Sequence, residues 1–427
     1  MKPTVQSVKG AREFYPEAMA LRNWLAHNMR AVSTRYGYQE YDGPFLEKID
    51  LYAAKSGEEL VKEQAFVFPD RGGDLIALRP ELTPSLARMV AQRQGELTFP
   101  LRWWSFGPFW RYERPQKGRT REFFQWNIDL IGVSSPEADA ELIAICAEFI
   151  RSVGLSPQQA VILVNDRRLM DQELSALGLT GDLKAQTLRL IDRRDKLRPT
   201  EWDEFALSLG ITADQLAGLK ALLSNTELWK KYPDMCRLFD ALDALGAREY
   251  IQFDAGVIRG LEYYTGTVFE AFDADRTGRA ILGGGHYDNL VSDVGGDPLP
   301  GVGFAMGDMM IAVVLEKYGL LPTPDLSSAP VLVTVFDAAL QSTSIRLAAE
   351  LRSAGLSVNC YPEAAKLPKQ FKFADRIGAR FVLIIGPDEQ AASTVTIKDL
   401  TRREQETIPQ DTAAGWIKQR LAQAPSV

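Results

Sequence analysis

The sequence predicts an α+β body, an antiparallel sheet flanked by helices, interrupted by a helical insertion and followed by a smaller α/β domain. Three observations carry this. Residues 101–131 hold two strand-like runs around a charged, glycine-containing turn, which reads as a long hairpin. Residues 165–248 repeat apolar positions at spacings of three and four, the helical period. After the Pro/Ser-rich stretch Pro322-Thr-Pro-Asp-Leu-Ser-Ser-Ala-Pro330, strand-like runs alternate with helical ones, as in a largely parallel sheet. The expected boundaries are 1–322 for the main body (insertion at about 165–248), 323–329 for a linker and 330–427 for the second domain.

Length and composition bound the class. A chain of 427 residues is long for one domain. No apolar run approaches the ~20 residues of a membrane span, and MKPTVQSVKG lacks the apolar core of a signal peptide. Cys146, Cys236 and Cys360 are far apart and read as reduced, so the expected compartment is cytoplasmic. No Cys/His pair has metal-site spacing, so no protein metal site is expected. With only His27 and His286, a serine-type triad has little to work with. A net charge of −7 argues against a protein that coats nucleic acid. It leaves room for a local basic surface, and residues 111–121 carry five cations and one acid.

Along the chain, residues 1–14 form a turn-like lead-in. Pro16 opens a helix with Leu21, Trp24, Leu25, Met29 and Val32 on one stripe, ended by Gly37. Tyr38–Tyr41 and Phe45 read as extended. Phe66–Phe68 and Leu75–Leu78 form a hairpin around Asp70-Arg-Gly-Gly73. Thr83 is expected to cap the next helix, with Pro84 at its first position. Capping gives Glu81 no role.

Leu101–Tyr112 is aromatic and ends in Arg111-Tyr112-Glu113. In Glu122–Ile131, Phe124, Trp126, Ile128 and Leu130 alternate with Gln125, Asn127 and Asp129, as in a half-buried strand. Its polar face would lie beside Arg111 and Glu113. The turn Arg114–Arg121 is rich in arginine, whose planar fork suits phosphate or carboxylate. By its residues alone this is a site for a nucleotide, a zwitterion and a polyanion, or a solvated hairpin with a basic tip.

Pro136–Val153 reads as a helix with early acids, Arg151 in its last turn and Gly154 beyond. The run Arg189–Arg198 reads as a salt-bridged solvent face, and Tyr250–Asp254 as extended. Arg259, Tyr263 and Tyr264 stand among apolar residues, where burial demands partners. Leu282-Gly-Gly-Gly-His-Tyr-Asp288 places three glycines ahead of a strand or helix, where they let backbone approach a ligand closely or simply form a turn. Gly301–Gly307 reads as a strand feeding a helix. In the second domain, Val331–Phe336, Ser357–Tyr361 and Arg380–Ile385 are strands, with helices at about 338–354 and 367–378.

FWRYERPQKGRTREFFQ, residues 109–125, resembles motif 2 of class II aminoacyl-tRNA synthetases in its histidyl form, without a gap. Other segments resemble the same family. Val8–Phe14 is similar to its lead-in, with Glu13 where aspartate is usual. Residues 16–45 resemble the dimer-forming motif 1, and Glu81-Leu-Thr83 an amino-acid-binding element. Arg259–Gly266 resembles the signature that separates histidyl enzymes from prolyl or threonyl ones. Leu282–Asp288 resembles a GGGRYD element with His286 in place of arginine. Gly301–Gly307 resembles the start of motif 3, and most of 330–425 an anticodon-binding domain.

The resemblance implies a class II catalytic domain that activates L-histidine with ATP and Mg²⁺. It would then transfer histidine to tRNA(His), releasing AMP and pyrophosphate, as a cytoplasmic homodimer. It also implies roles. Arg111 grips the α-phosphate, Glu113 reads the adenine amino group, and Arg121 joins the ATP site. Glu81, Thr83 and Gln125 hold the α-ammonium. Asp129 and Tyr264, with Tyr263 beside it, address the imidazole. Arg259 sits at the reacting phosphate, where other class II enzymes use a metal ion. Gln116, Lys117 and Arg119 touch the tRNA acceptor end. One departure matters. Met310 stands where the family carries an arginine for the ATP γ-phosphate, a loss of about 1.5–3 kcal/mol. Arg114 and Arg121 are the candidates to compensate. Met310 is also the one feature favouring a non-catalytic regulatory or tRNA-sensing protein.

Overall fold

The computed structural model describes residues 5–53, 64–116, 118–258, 264–276, 278–323 and 329–423. Two compact units emerge, one of Met1–Tyr15 and Leu21–Pro322, the other of Pro16–Ala20 and Thr323–Val427.

Helix α1 (Pro16–Arg35) leads to strands β1 (Gln39–Glu40) and β2 (Leu46–Lys48), the short helix α2 (Asp50–Ala53), the pair β3 (Phe66–Pro69) and β4 (Leu75–Leu78), and α3 (Thr83–Arg93). The long strands β5 (Leu101–Trp110) and β6 (Glu122–Ile131) precede α4 (Pro136–Ser152) and β7 (Ala160–Asp166). The insertion follows as α5 (Arg167–Ala176), α6 (Gly181–Asp192), α7 (Pro199–Ser208), α8 (Ala213–Leu223) and α9 (Pro233–Ala244). Strands β8 (Ile251–Phe253), β9 (Thr267–Asp273), β10 (Leu282–Tyr287) and β11 (Gly301–Gly307) return to the sheet, and α10 (Asp308–Lys317) closes the unit.

Eight strands form one sheet in the order β1-β5-β6-β11-β10-β9-β7-β8, antiparallel except at the β1–β5 and β7–β8 pairs. Its core lies between one face and α4. Trp126 of β6 packs on Phe149 of α4 at 5.2 Å and edge-on to Phe304 of β11 at 4.9 Å. The alternation read from the sequence thus turns Trp126, Ile128 and Leu130 into the core and Gln125, Asn127 and Asp129 to the opposite face. That opposite face is not open to solvent as a half-buried strand requires. Asn127 and Asp129 are 4% and 5% exposed. Tyr264, Tyr287 and Val268 form an apolar layer on the second face.

Three further expectations are corrected. The Leu282-Gly-Gly-Gly run is strand β10 itself, not a turn. A Cβ on Gly284 would run into the Gly303 carbonyl and the Phe304 side chain, so only glycine lets β10 and β11 pair here. Thr83 makes no capping hydrogen bond, because the helix begins at Thr83 itself behind Leu82. The insertion is preceded by an unanticipated strand, β7, whose continuous apolar run is buried on both faces and shows no period of two.

The second unit contains β12 (Val331–Val333), α11 (Gln341–Ser353), β13 (Val358–Cys360), α12 (Leu367–Arg376), β14 (Phe381–Ile384), α13 (Pro387–Ala392), β15 (Thr394–Asp399), β16 (Glu404–Pro409) and α14 (Ala413–Ala422). Its sheet runs β13-β12-β14-β15-β16, parallel in the first three strands and antiparallel in the last two pairings. It is therefore mixed rather than largely parallel. Val331, Val333, Phe381 and Leu383 face α11 and α14, while Leu332 and Val382 face α12. No helix among the described residues is long and apolar enough to cross a membrane.

Candidate active site

Buried Arg79 anchors the segment that carries Glu81. Its Nη1 donates to Asp42 Oδ1 at 2.5 Å and to the Gly43 carbonyl at 3.0 Å, and its Nε to the Pro108 carbonyl at 2.9 Å. Its guanidinium lies 4.4 Å from the Phe45 ring and 4.5 Å from the Phe109 ring. The chain at Pro80-Glu81 is thereby tied to the end of β5. Arg111 Nε donates to the Pro80 carbonyl at 3.0 Å, and the Arg111 amide pairs with the Arg121 carbonyl at 2.9 Å, closing the hairpin.

Two cavities meet at this point. The smaller, about 130 Å³, is lined by Glu81, Thr83, Gln125, Asn127, Asp129, Tyr264 and Tyr287 among others. The larger, about 1140 Å³, is lined by Glu113, Arg119, Phe123, Arg279 and Met310 among others. Arg111, Gln125, Gly283 and Ala305 line both. The smaller cavity ends at Asp129, which accepts a hydrogen bond from the Tyr287 hydroxyl at 3.0 Å. Burial pushes the Asp129 carboxyl up to about 7, against the lowering effect of that bond. The Asn127 amide nitrogen is buried and makes no hydrogen bond among the described residues.

In the larger cavity, Glu113 is nearly buried and pairs with Arg119 Nε, yet neither of its oxygens accepts a well-aligned hydrogen bond. A buried carboxylate in that state has capacity for a donor from a ligand. Asp308 opens α10. It accepts from Arg12 at 2.6 Å and from the Phe124 amide at 3.1 Å.

The structure therefore brings together Glu81, Thr83, Arg111, Glu113, Arg119, Gln125, Asp129 and Tyr264 from strands and turns far apart in sequence. Arg121 lines neither cavity. Its Nε donates to the Glu113 carbonyl at 3.2 Å and its guanidinium lies over the Tyr112 ring at 4.0 Å. Arg114 and Gln116 are exposed and line neither cavity either. Arg259, Tyr263 and Lys117 lie outside the described residues.

Sequence reasoning missed Tyr287 as the partner of Asp129, although a period of two from Gly283 and Gly285 would have put it on the site face of β10. His286 points the other way. It is 2% exposed, with Nδ1 2.8 Å from Asp139 and Nε2 3.2 Å from Asp288. Burial pulls its pKa down, but the two carboxylates outweigh it and the net shift is upward. The shift favours the charged imidazolium at the position where the resemblance expects arginine.

Both units match known families. A model of the histidyl-tRNA synthetase family matches residues 10–310, and one of an anticodon-binding domain matches residues 330–420. The histidine–tRNA ligase of Opitutus terrae is 38% identical over 97% of this chain and 98% of its own. The chloroplastic/mitochondrial histidine–tRNA ligase of Arabidopsis thaliana is 39% identical over 95% of this chain and 85% of its own. Among solved structures, a histidyl-tRNA synthetase from Nostoc superposes with a TM-score of 0.82 at 27% identity, covering 98% of this chain and all of that one. Fold and site together define a class II aminoacyl-tRNA synthetase with an anticodon-binding domain. Within that class, the chain belongs to the histidyl-tRNA synthetase family.

Proposed function

We infer that this chain is a histidine–tRNA ligase that activates L-histidine with ATP and transfers it to tRNA(His). One observation carries the site assignment: two joined cavities share Arg111 and Gln125, and the smaller ends in a buried carboxyl. Histidine occupies the smaller, with Glu81, Thr83 and Gln125 at its α-ammonium and Asp129 and Tyr264 at its imidazole. A buried acceptor left unpaired by a substrate without ring nitrogens discriminates strongly. ATP occupies the larger, with Glu113 at the adenine amino group.

At the junction a histidine carboxylate oxygen attacks the α-phosphorus, the bond to the bridging oxygen breaks, and pyrophosphate leaves. Arg111 and Arg259 hold the charge that develops on the phosphate. The terminal ribose hydroxyl of tRNA then attacks the carbonyl carbon, and AMP departs. Gln116, Lys117 and Arg119 at the hairpin tip meet the acceptor end through contacts that weaken with salt. Mg²⁺ arrives with ATP as part of the substrate, since Mg²⁺ is held mainly by phosphates and water.

The working form is a cytoplasmic homodimer. Phe45, Leu46, Val67, Phe68 and Leu75, on and beside the small β2-β4-β3 sheet, are exposed apolar residues that suit a second copy. The competing reading, a non-catalytic tRNA sensor, is favoured by Met310 alone. Histidine-dependent ATP–pyrophosphate exchange, with proline and threonine as controls, separates them. Exchange with histidine alone supports the ligase. None with any of the three, in a folded protein that binds tRNA, supports the sensor.

A further inference from the structure

Met310, the third residue of α10, lines the larger cavity and brings no charge to it, and it lies against the hairpin turn and the segment before β10. A Cβ on Gly118, in the hairpin turn, would run into the Met310 sulfur, and a Cβ on Gly278 would lie 3.6 Å from its methyl carbon. The residue after Gly278 is Arg279, which lines the same cavity. We propose that Arg279 binds the terminal phosphates of ATP, supplying from the segment before β10 the cation that α10 lacks, a role that rests on the ligase reading of the site.

Four other cations of the cavity are already engaged. Arg111 donates to Pro80, Arg119 pairs with Glu113, Arg276 pairs with Asp254 at 3.0 Å, and Lys196 pairs with Asp192 at 3.1 Å. Arg279 makes no hydrogen bond or ion pair among the described residues. Arg194 of the insertion shares that property, but Arg279 is the one set beside Met310 and the Glu113–Arg119 pair. Partial burial and the neighbouring Arg119 cation hold Arg279 below the ordinary arginine range, with Glu113 opposing them. A guanidinium so placed stays charged, and an arriving polyphosphate relieves its repulsion from Arg119. Arg111 serves the junction with the smaller cavity. Arg279 lines only the larger one, away from that junction, and it stands by Met310, where the family's γ-phosphate arginine is missing, so the β- and γ-phosphates rather than the α-phosphate are assigned to it.

The test is calorimetric titration of the full chain with ATP and with AMP, alongside ATP–pyrophosphate exchange. Arg279→Ala should weaken ATP binding about tenfold or more, as expected for losing a charged hydrogen bond. AMP binding should change less than about twofold, and KM should rise for ATP but not for histidine. Arg279→Lys should recover part of the loss, and Arg194→Ala should leave ATP binding near wild type. Should Arg279→Ala fail to fold, the neutral Arg279→Gln serves instead. Wild-type ATP affinity in these variants, equal losses for ATP and AMP, or a wild-type chain that binds ATP no better than AMP would overturn the proposal. If the wild type shows no histidine-dependent exchange but Arg279→Ala still loses ATP and not AMP, the phosphate role stands and the histidine reading falls.

Discussion

The Tyr287 hydroxyl lies 3.0 Å from Asp129 Oδ1, joining β10 to β6 across β11 at the end of the smaller cavity. The carboxyl it touches titrates at about 7, because burial penalises the charge more than one hydroxyl can offset. The ordinary value is 3.8, so the folded protein favours the protonated acid. Its stabilising contribution is complete below that value and fades as pH rises through the folded pKa.

Asp129→Ala should lower kcat/KM for histidine by on the order of 100-fold or more, with discrimination against analogues lost first. The wild type should bind histidine more tightly as pH rises from about 6 to 8, and Asp129→Asn should flatten that rise, since only the ionised carboxylate accepts an imidazole N–H well. Calorimetric titration at several pH values measures this. Parallel profiles in the two proteins would move imidazole recognition elsewhere.

Gly303 faces Asp129 across the β6–β11 pair, and a Cβ there would overlap the Asp129 carboxyl. Gly303→Ala should raise KM for histidine while leaving KM for ATP near wild type, and destabilise by about 1–3 kcal/mol. Steady-state kinetics with a thermal melt reads both. A variant with normal histidine KM and normal melting would show that the close approach is not needed.

His286 carries a raised pKa between Asp139 and Asp288. A group raised on folding stabilises below its unfolded pKa and loses that contribution as pH rises through its folded one. As pH rises above the ordinary 6.5, wild-type stability should fall more steeply than that of His286→Gln. Urea midpoints across that range are the measurement, and identical slopes would mean that folding leaves the His286 pKa unshifted.

Arg259→Ala should abolish adenylate formation yet leave histidine binding detectable by titration, since its expected partner is the reacting phosphate. Normal pyrophosphate exchange by this variant would remove Arg259 from the chemistry.

The β5–β6 hairpin was legible because its alternation is strict. It pairs in register from Leu101 with Ile131 to Trp110 with Glu122, and the polar residues share one face as their spacing requires. Strand β7 was not legible, because a strand buried on both faces has no alternation to read. That the glycines of β10 form a strand was not legible for a related reason: what excludes a Cβ at Gly284 is Gly303 and Phe304 on another strand.

By itself, the sequence determined the β5–β6 hairpin and which of its residues share a face, because those follow from residue type and local period. Only the tertiary structure decided their state. The acidity of Asp129 depends on burial and on a tyrosine 158 residues away. The charge on His286 depends on an aspartate 147 residues away. Arg121 turns from the cavity and Arg279 into it because of what surrounds them. Electrostatics is set by neighbours in space, and no spacing along the chain encodes the dielectric or the partner that folding brings.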